Sequence, residues 1–349
     1  MSGRRGVIGL GVIGCGSIAY WTHLRIAQRM RGAVLVAAAD PDPEARKRAE
    51  RLAGIPVHAR TEELLARADV DAVIVSAPTH LHAELVIAAC AAGKHVYLEK
   101  PLATSTADGA RVVDAAARAG VSVALGFNRR FHPLYEQARR LLHDGRVGRI
   151  QAVQTTFCEP VLPHAMPEWK RRRATGGGVL LDLASHHIDL LRWFLADEVA
   201  TVDASLDSEL SEQDSARLQL SMRGGVQVQS WFSCRTATSD ALEFAGELGT
   251  LRVDRHRPGV SLRVPRRLGY GVRTARVAPP AAVAAWWLER LVRPSGEPSY
   301  RRALAAFVSV LRGEGRPMPG LIDGMRALEV VEAAEESARR GTPVDLRAA

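Results

Sequence analysis

The sequence predicts a two-part α/β chain. An N-terminal doubly wound parallel sheet is followed by an α/β domain with a large, mostly antiparallel open sheet. Three observations carry this reading. Short apolar runs alternate with helical patterns from the N-terminus to the segment "VSVALGF". A glycine-spaced turn follows the first of those runs. Beyond Pro133 the apolar residues recur with period two, as half-buried strands require. With 349 residues the chain is long enough for two ordinary domains, and the boundary is expected between residues 126 and 127.

The first part reads strand, turn, helix. Residues 10–13 form an apolar run suited to a buried parallel strand. Gly14, Gly16 and Ala19 follow in G-x-G-x-x-A spacing, with Ser17 and Ile18 inside the turn. The first glycine permits the turn, the second lets the backbone approach a pyrophosphate, and Ala19 allows close helix packing. The next strand, "AVLVAAAD", ends at Asp40, where a carboxylate accepts hydrogen bonds from the adenosine ribose. Its charge repels a 2′-phosphate, so NAD is expected rather than NADP, although Arg46 and Lys47 lie one helical turn further on. Alternation continues through "DAVIVSAP", "HLHAELVIAACAAG", "KHVYLEKP", "ADGARVVDAAARAG" and "VSVALGF". Ligands of such sheets sit beyond the carboxyl ends of the strands. Gly14, Gly16, Ser17, Ile18, Asp40, Ala77, Pro78, Thr79, Glu99 and Lys100 are therefore the candidate dinucleotide contacts.

The second part opens with an amphipathic helix, "LYEQARRLLHDGRVGRI", closed by Gly145 and Gly148. "IQAVQTTFCE", "ARLQLSMRGG" and "VQVQSWFSCRT" alternate as strands, with "RGG" as a hairpin turn, and a second hairpin is expected around Gly246 and Gly249. Helices "YRRALAAFVSVLRG" and "GMRALEVVEAAEESARRG" follow. Helices on one face leave the other face to a partner subunit, so a homo-oligomer, dimer or tetramer, is expected through this sheet. In "GGGVLLDLASHHIDLL" Asp182 and His186 are four residues apart on one helical face, while His187 is rotated away. A histidine suits proton removal near neutral pH. By spacing alone the pair reads equally as catalytic groups or as a capping aspartate and a packed histidine.

Composition narrows the partners. The net charge is +9, but the arginines alternate with acids, as in "PEARKRAERL", and no nucleic-acid motif accompanies the basic residues 170–173. No apolar run reaches the roughly 18 residues of a membrane span. Neither nucleic acid nor membrane is expected as a partner. Cys15, Cys90, Cys158 and Cys234 fit no zinc spacing, so no metal is expected, and reduced thiols in the cytoplasm are the default. Arg4, Arg5 and the following apolar run imitate an export signal, and Cys15 imitates a lipidation site. Cleavage there would remove the first strand of the turn motif, so neither is expected. Only Lys47, Lys94, Lys100 and Lys170 among the 47 basic residues are lysines. That makes Lys100, between Glu99 and Pro101, a residue kept for a reason.

Taken in order, "GCGSIA", "AAGKHVYLEKPLA", "GFNRRFHP" and "GGGVLLDLASHHIDLL" resemble the motifs of the Gfo/Idh/MocA oxidoreductases over nearly the whole chain. The resemblance implies an NAD-binding Rossmann domain over residues 1–126 and a substrate-binding, oligomerising domain over 127–349, its C-terminal helix packing back toward the first. It implies hydride transfer between nicotinamide and the secondary alcohol or ketone of a sugar, aminosugar or cyclitol. Lys100, Asp182 and His186 become the catalytic residues, with Pro78 and Thr79 against the nicotinamide and His82 nearby. Asn128, Arg129 and Trp169 join them as substrate contacts. Arg130 belongs to the same motif, with surface ion pairing as its alternative, and Asp189 reads as structural rather than catalytic. Substrate selection is expected in "VLPHAMPEWKRRRAT", with His164, Glu168, Trp169 and Arg171 as candidates. Trp286 and Trp287 read as a stacking wall or as core. Relatives acting on nucleotide-linked ketosugars often place a tyrosine as the acid, so Asp-x-x-x-His points to inositol and free-sugar or aminosugar dehydrogenases. A nucleotide-linked ketosugar reductase and a non-catalytic dinucleotide sensor of the same fold are the alternatives. The arginine and alanine bias suggests a GC-rich genome, with sugar or aminocyclitol tailoring in secondary metabolism as one expected setting.

Overall fold

The computed structural model describes residues 6–161, 163–257, 259–265, 272–277, 288, 297–315 and 318–346. Trp286 and Trp287, together with Arg4 and Arg5, lie outside them. The chain divides into two compact units, one of Met1–Asn128 with Tyr300–Leu328 and one of Arg129–Ser299 with Glu329–Ala349. The division falls within the long helix Leu321–Arg340.

The first unit holds a parallel sheet of β1 (Ile8–Ile13), β2 (Ala33–Ala39), β3 (Val57–His58), β4 (Ala72–Val75), β5 (His95–Leu98) and β6 (Val123–Leu125). Its order is β3-β2-β1-β4-β5-β6. The apolar runs read from the sequence are buried for the expected reason: every residue of β4, and all of β1 after Ile8, is covered on both faces. Helix ends follow their local chemistry. The helix Pro43–Ala53 starts with Pro43 behind Asp42, whose side chain accepts from the Glu44 amide, and stops at left-handed Gly54. Ser105 caps the helix Thr106–Ala119 through the Asp108 amide. The order reverses between β1 and β4. That is where a doubly wound sheet opens a crevice at its carboxyl edge.

The second unit is built on a nine-stranded sheet. Its strands are β7 (Ile150–Cys158), β8 (Val199–Asp207), β9 (Ser215–Met222), β10 (Gln227–Ser233), β11 (Ser239–Gly246), β12 (Gly249–Asp254), β13 (Val260–Pro265), β14 (Val272–Val277) and β15 (Val344–Asp345). The order is β14-β13-β12-β11-β7-β10-β9-β8-β15. Only the β7–β10 pair is parallel among the described strands of this sheet. Both expected hairpins form, β9–β10 and β11–β12, the latter closing at Gly246 and Gly249. Period-two burial divides the faces. Leu218, Leu220, Val228 and Phe232 point into the core, each worth about 1.5–3 kcal/mol on burial. Arg217, Gln219, Gln227 and Gln229 alternate with them on the open side. A shallow cavity of about 670 Å³ on this sheet includes Gln154, Arg217, Gln219, Gln229 and Trp231 in its lining. The helix Pro133–His143 packs against β12 and β13, and the turn Leu180–Ala184 against β7 and β10.

Candidate active site

In the first unit the chain turns sharply where β1 ends. Gly14 has φ +87°, and a Cβ there would lie 2.8 Å from the Ala77 amide nitrogen, so a side chain would collide with the turn after β4. Ser76 Oγ donates to the Gly14 carbonyl at 2.9 Å and locks the two turns together. A Cβ on Gly16, by contrast, would meet nothing within 4 Å. The backbone there borders open space, and it becomes helical at once, Tyr20 N donating to Gly16 O at 2.9 Å. The Asp40 carboxylate is fixed by two backbone donors, Cys15 N at 2.6 Å and Asp42 N at 2.8 Å. Each of its oxygens keeps lone-pair capacity for a ribose hydroxyl. Arg46 donates to the carbonyls of Asp40 and Pro41, and Lys47 pairs with Glu44 at 2.9 Å. These groups fit a dinucleotide: an open glycine floor, an oriented carboxylate, and the switch point of the sheet. Burial, with the nearby Asp40 charge, pushes the Cys15 thiol up to about 12, so it takes no part as a thiolate.

The turn after β5 carries Lys100, and the peptide bond from Lys100 to Pro101 is cis. Glu99 is not left facing solvent. His23 Nε2 donates to its carboxylate at 2.7 Å, and His23 and Glu99 are both buried. His82 has its ring nitrogens 2.8 Å from the Pro101 carbonyl and 2.9 Å from that of Ala77. Burial pulls its pKa below the usual value, against the pull of both carbonyls. A neutral ring has one N–H for the two acceptors, so His82 ties the Ala77 and Pro101 turns together rather than offering a free nitrogen to a ligand. Thr79, also buried, opens the short helical turn Thr79–Leu81 that leads into His82.

In the second unit, the helix expected over Asp182 and His186 begins differently. Leu180–Ala184 is a π-helical turn, and the α-helix proper is Ser185–Leu195. Such widened turns are frequent at functional sites. Asp182 Oδ2 accepts from Lys170 Nζ at 2.7 Å. Attraction to Asp182 raises the Lys170 pKa above its ordinary value, against the effect of burial. His186 is 7% exposed, its ring centroid 6.3 Å from that of Phe157. Cys234 is pushed up to about 12 by burial and by the Asp182 charge, so its thiol stays protonated. Trp169 is half-buried, its ring 5.5 Å from Lys170 Nζ, while His164 and Glu168 are exposed. Arg171 lies 3.6 Å from Glu168.

His187, next in sequence, belongs to a buried charge cluster. Its Nε2 meets Asp240 Oδ1 at 3.1 Å, and its ring stacks on Phe157 at 5.4 Å. Burial lowers its pKa. Asp240 is wholly buried and also faces Arg129 at 2.8 Å, Arg255 at 2.8 Å and the Tyr135 hydroxyl at 3.2 Å. Burial alone would raise the Asp240 pKa, but the Arg129 charge, the His187 hydrogen bond and the Arg255 charge hold it well below the usual carboxylate range. The Arg129 guanidinium, an expected substrate contact, sits on Asp240 and 4.0 Å above the Phe157 ring, 6% exposed. Arg130 likewise binds buried Asp189 through two hydrogen bonds, so this pair is internal rather than superficial. Asn128, 4% exposed, opens the short helical turn Asn128–Phe131. Sequence reasoning missed His23, Lys170 and Asp240. Lys170 alone had a signal, as one of four lysines. Among the described residues no group of three or more His, Cys, Asp or Glu is placed to hold a metal ion, and no helix is long and apolar enough to cross a membrane.

A doubly wound sheet with a glycine turn and an oriented carboxylate at its switch point defines a dinucleotide-binding domain. Comparison with known proteins agrees. Residues 8–127 match the oxidoreductase family with an NAD-binding Rossmann fold, and residues 135–252 match the Gfo/Idh/MocA C-terminal domain. The chain belongs to the Gfo/Idh/MocA oxidoreductases; it is an NAD-dependent dehydrogenase or reductase of that family. Inositol 2-dehydrogenase 2 of Saccharopolyspora erythraea is 33% identical, the match covering 97% of this chain and 95% of that protein. 1,5-Anhydro-D-fructose reductase of Ensifer adhaerens is 33% identical over 82% of each chain. Among solved structures, levoglucosan dehydrogenase in complex with NADH shares the fold, with a TM-score of 0.85 at 21% identity, covering 97% of this chain and 99% of that one.

Proposed function

We propose that this chain oxidises a secondary alcohol of a cyclitol or free sugar, or runs the reverse reduction, with Lys100, Asp182 and His186 as its reacting groups. The observation that carries the reading is the pair of locked turns at the β1/β4 switch point, with Lys100 at the carboxyl end of the next strand, β5. The relatives named for inositol and anhydrofructose support the substrate class. NAD, when bound, supplies the hydride acceptor. Lys100 donates a hydrogen bond to the reacting oxygen and stabilises its developing negative charge. Its compact ammonium reaches a single oxygen, which a forked guanidinium does less well. His186 takes the hydroxyl proton in oxidation and returns it in reduction. Asp182 holds the substrate beside it. A dimer or tetramer through the open face of the nine-stranded sheet belongs to the same reading, and sedimentation velocity tests it.

The test is a panel of cyclitols, free sugars, aminosugars and nucleotide-linked sugars, each with NAD and with NADP, followed by absorbance of the reduced nicotinamide. Turnover of a cyclitol or free sugar with NAD is expected. Turnover confined to nucleotide-linked sugars would move the substrate class. NADH binding without turnover of any polyol would leave a dinucleotide sensor instead.

A further inference from the structure

We propose that Lys170 is a specificity-determining residue: it holds the Asp182 carboxylate and donates a second hydrogen bond to a substrate hydroxyl adjacent to the reacting carbon. The inference rests on the polyol reading above and names how that site selects. Three of the four lysines are accounted for by what they touch. Lys47 makes an exposed pair with Glu44, and Lys94 binds the carbonyls of Arg67 and Val70. Lys170 meets Asp182 at 2.7 Å, the two side chains 35% and 31% exposed. A partly exposed ion pair contributes only about 0–1 kcal/mol to stability. Yet the chain around it is shaped to hold it in place.

Lys170 lies on the short helix Glu168–Arg171. Thr175 Oγ1 donates to the Trp169 carbonyl at 2.7 Å, and Gly177 N donates to Arg172 O at 2.9 Å. A Cβ on Gly177 would lie 2.2 Å from the Lys170 carbonyl oxygen and 2.6 Å from its carbon. The Lys170 peptide thus excludes a side chain at the middle glycine of "GGG". Asp182 N then donates to Gly178 O at 3.0 Å, so the same strip of backbone runs from the lysine into the turn bearing its partner. Asp182 is a residue to which the reaction is assigned, and the lysine beside it sits in the loop where substrate selection was expected.

An ammonium has three N–H groups and no acceptor, and a carboxylate accepts only. Side by side they present a donor next to acceptors. Neighbouring hydroxyls of a polyol, each both donor and acceptor, match that pattern. A substrate with one hydroxyl removed leaves the ammonium short of a partner. Trp169, 5.5 Å from the ammonium, gives the same spot an apolar wall for the C–H face of a ring.

The experiment compares wild type with K170M and K170R on the fastest polyol of the panel and on its monodeoxy analogues, with NADH affinity measured alongside. For K170M, KM of the parent polyol is expected to rise about 10–100-fold, the worth of one hydrogen bond to a charged group. One analogue, deoxygenated beside the reacting carbon, should show the same KM in wild type and variant. NADH affinity should not change. K170R, whose fork displaces the donor, should single out the same analogue, and it decides the matter if K170M does not fold. Equal losses on every analogue, or no loss on any, would overturn the proposal while leaving the polyol reading intact. A wild type that turns over no polyol overturns both.

Discussion

Alanine at His186 is expected to lower kcat/KM by about 10²–10⁴-fold, the usual contribution of a positioned acid–base group, while NADH affinity is unchanged. The expectation depends on a contrast between neighbours. His186 lies on the helix that follows the π turn, one helical turn beyond Asp182. His187 is wholly buried against Asp240 and Phe157, and burial lowers its pKa. Alanine at His187 should therefore reduce stability, and alanine at His186 should reduce turnover. Lys100→Arg gives the parallel result on the other reacting group. It keeps the charge but replaces a compact donor with a fork, and removal of such electrostatic support costs about 10²–10³-fold. Steady-state kinetics with NADH titration by fluorescence checks both. Full activity in either variant contradicts the mechanism.

The second large effect is on stability. Asp240→Ala should lower the melting temperature by about 6–20 °C, because breaking a buried ionic cluster costs about 3–5 kcal/mol and one kcal/mol moves a unit of this size by about 2–4 °C. The carboxylate faces Arg129, Arg255, His187 and the Tyr135 hydroxyl, and it is wholly buried. Without it, the buried Arg129 guanidinium loses its carboxylate, and Arg255 keeps only Glu297, at 3.4 Å. Asp240→Asn keeps the shape but not the charge, so it should fall between alanine and wild type. A thermal melt that stays within about 1 °C of wild type for Asp240→Ala contradicts the assignment.

Much of the first unit was legible in the sequence because its signals are local. An apolar run, a turn glycine and a strand-ending acid lie within a few dozen residues, and the structure returns them as β1, Gly14 and Asp40. Hairpin turns in the second unit were legible for the same reason. What escaped was long-range. Arg129 and Asp240 are 111 residues apart, and no spacing rule joins them. "GFNRRF" therefore does not show in sequence that one arginine pairs with Asp240 and the next with Asp189. The π turn escaped because its hydrophobic pattern is that of any buried helix start. At Gly177, before it, the Lys170 peptide excludes a side chain, a contact that the run of glycines does not show in sequence. Lys170 itself was read as part of a basic run, since the sequence does not show which of four consecutive cations turns toward Asp182.

The central claim is hydride transfer from a polyol carbon to bound NAD. The direct measurement uses the fastest substrate of the panel deuterated at the oxidised carbon, with the nicotinamide product examined by NMR. Deuterium at nicotinamide C4 is the predicted result, in wild type and, more slowly, in Lys100→Arg. Tight NAD binding with no deuterium transferred from any polyol would contradict it.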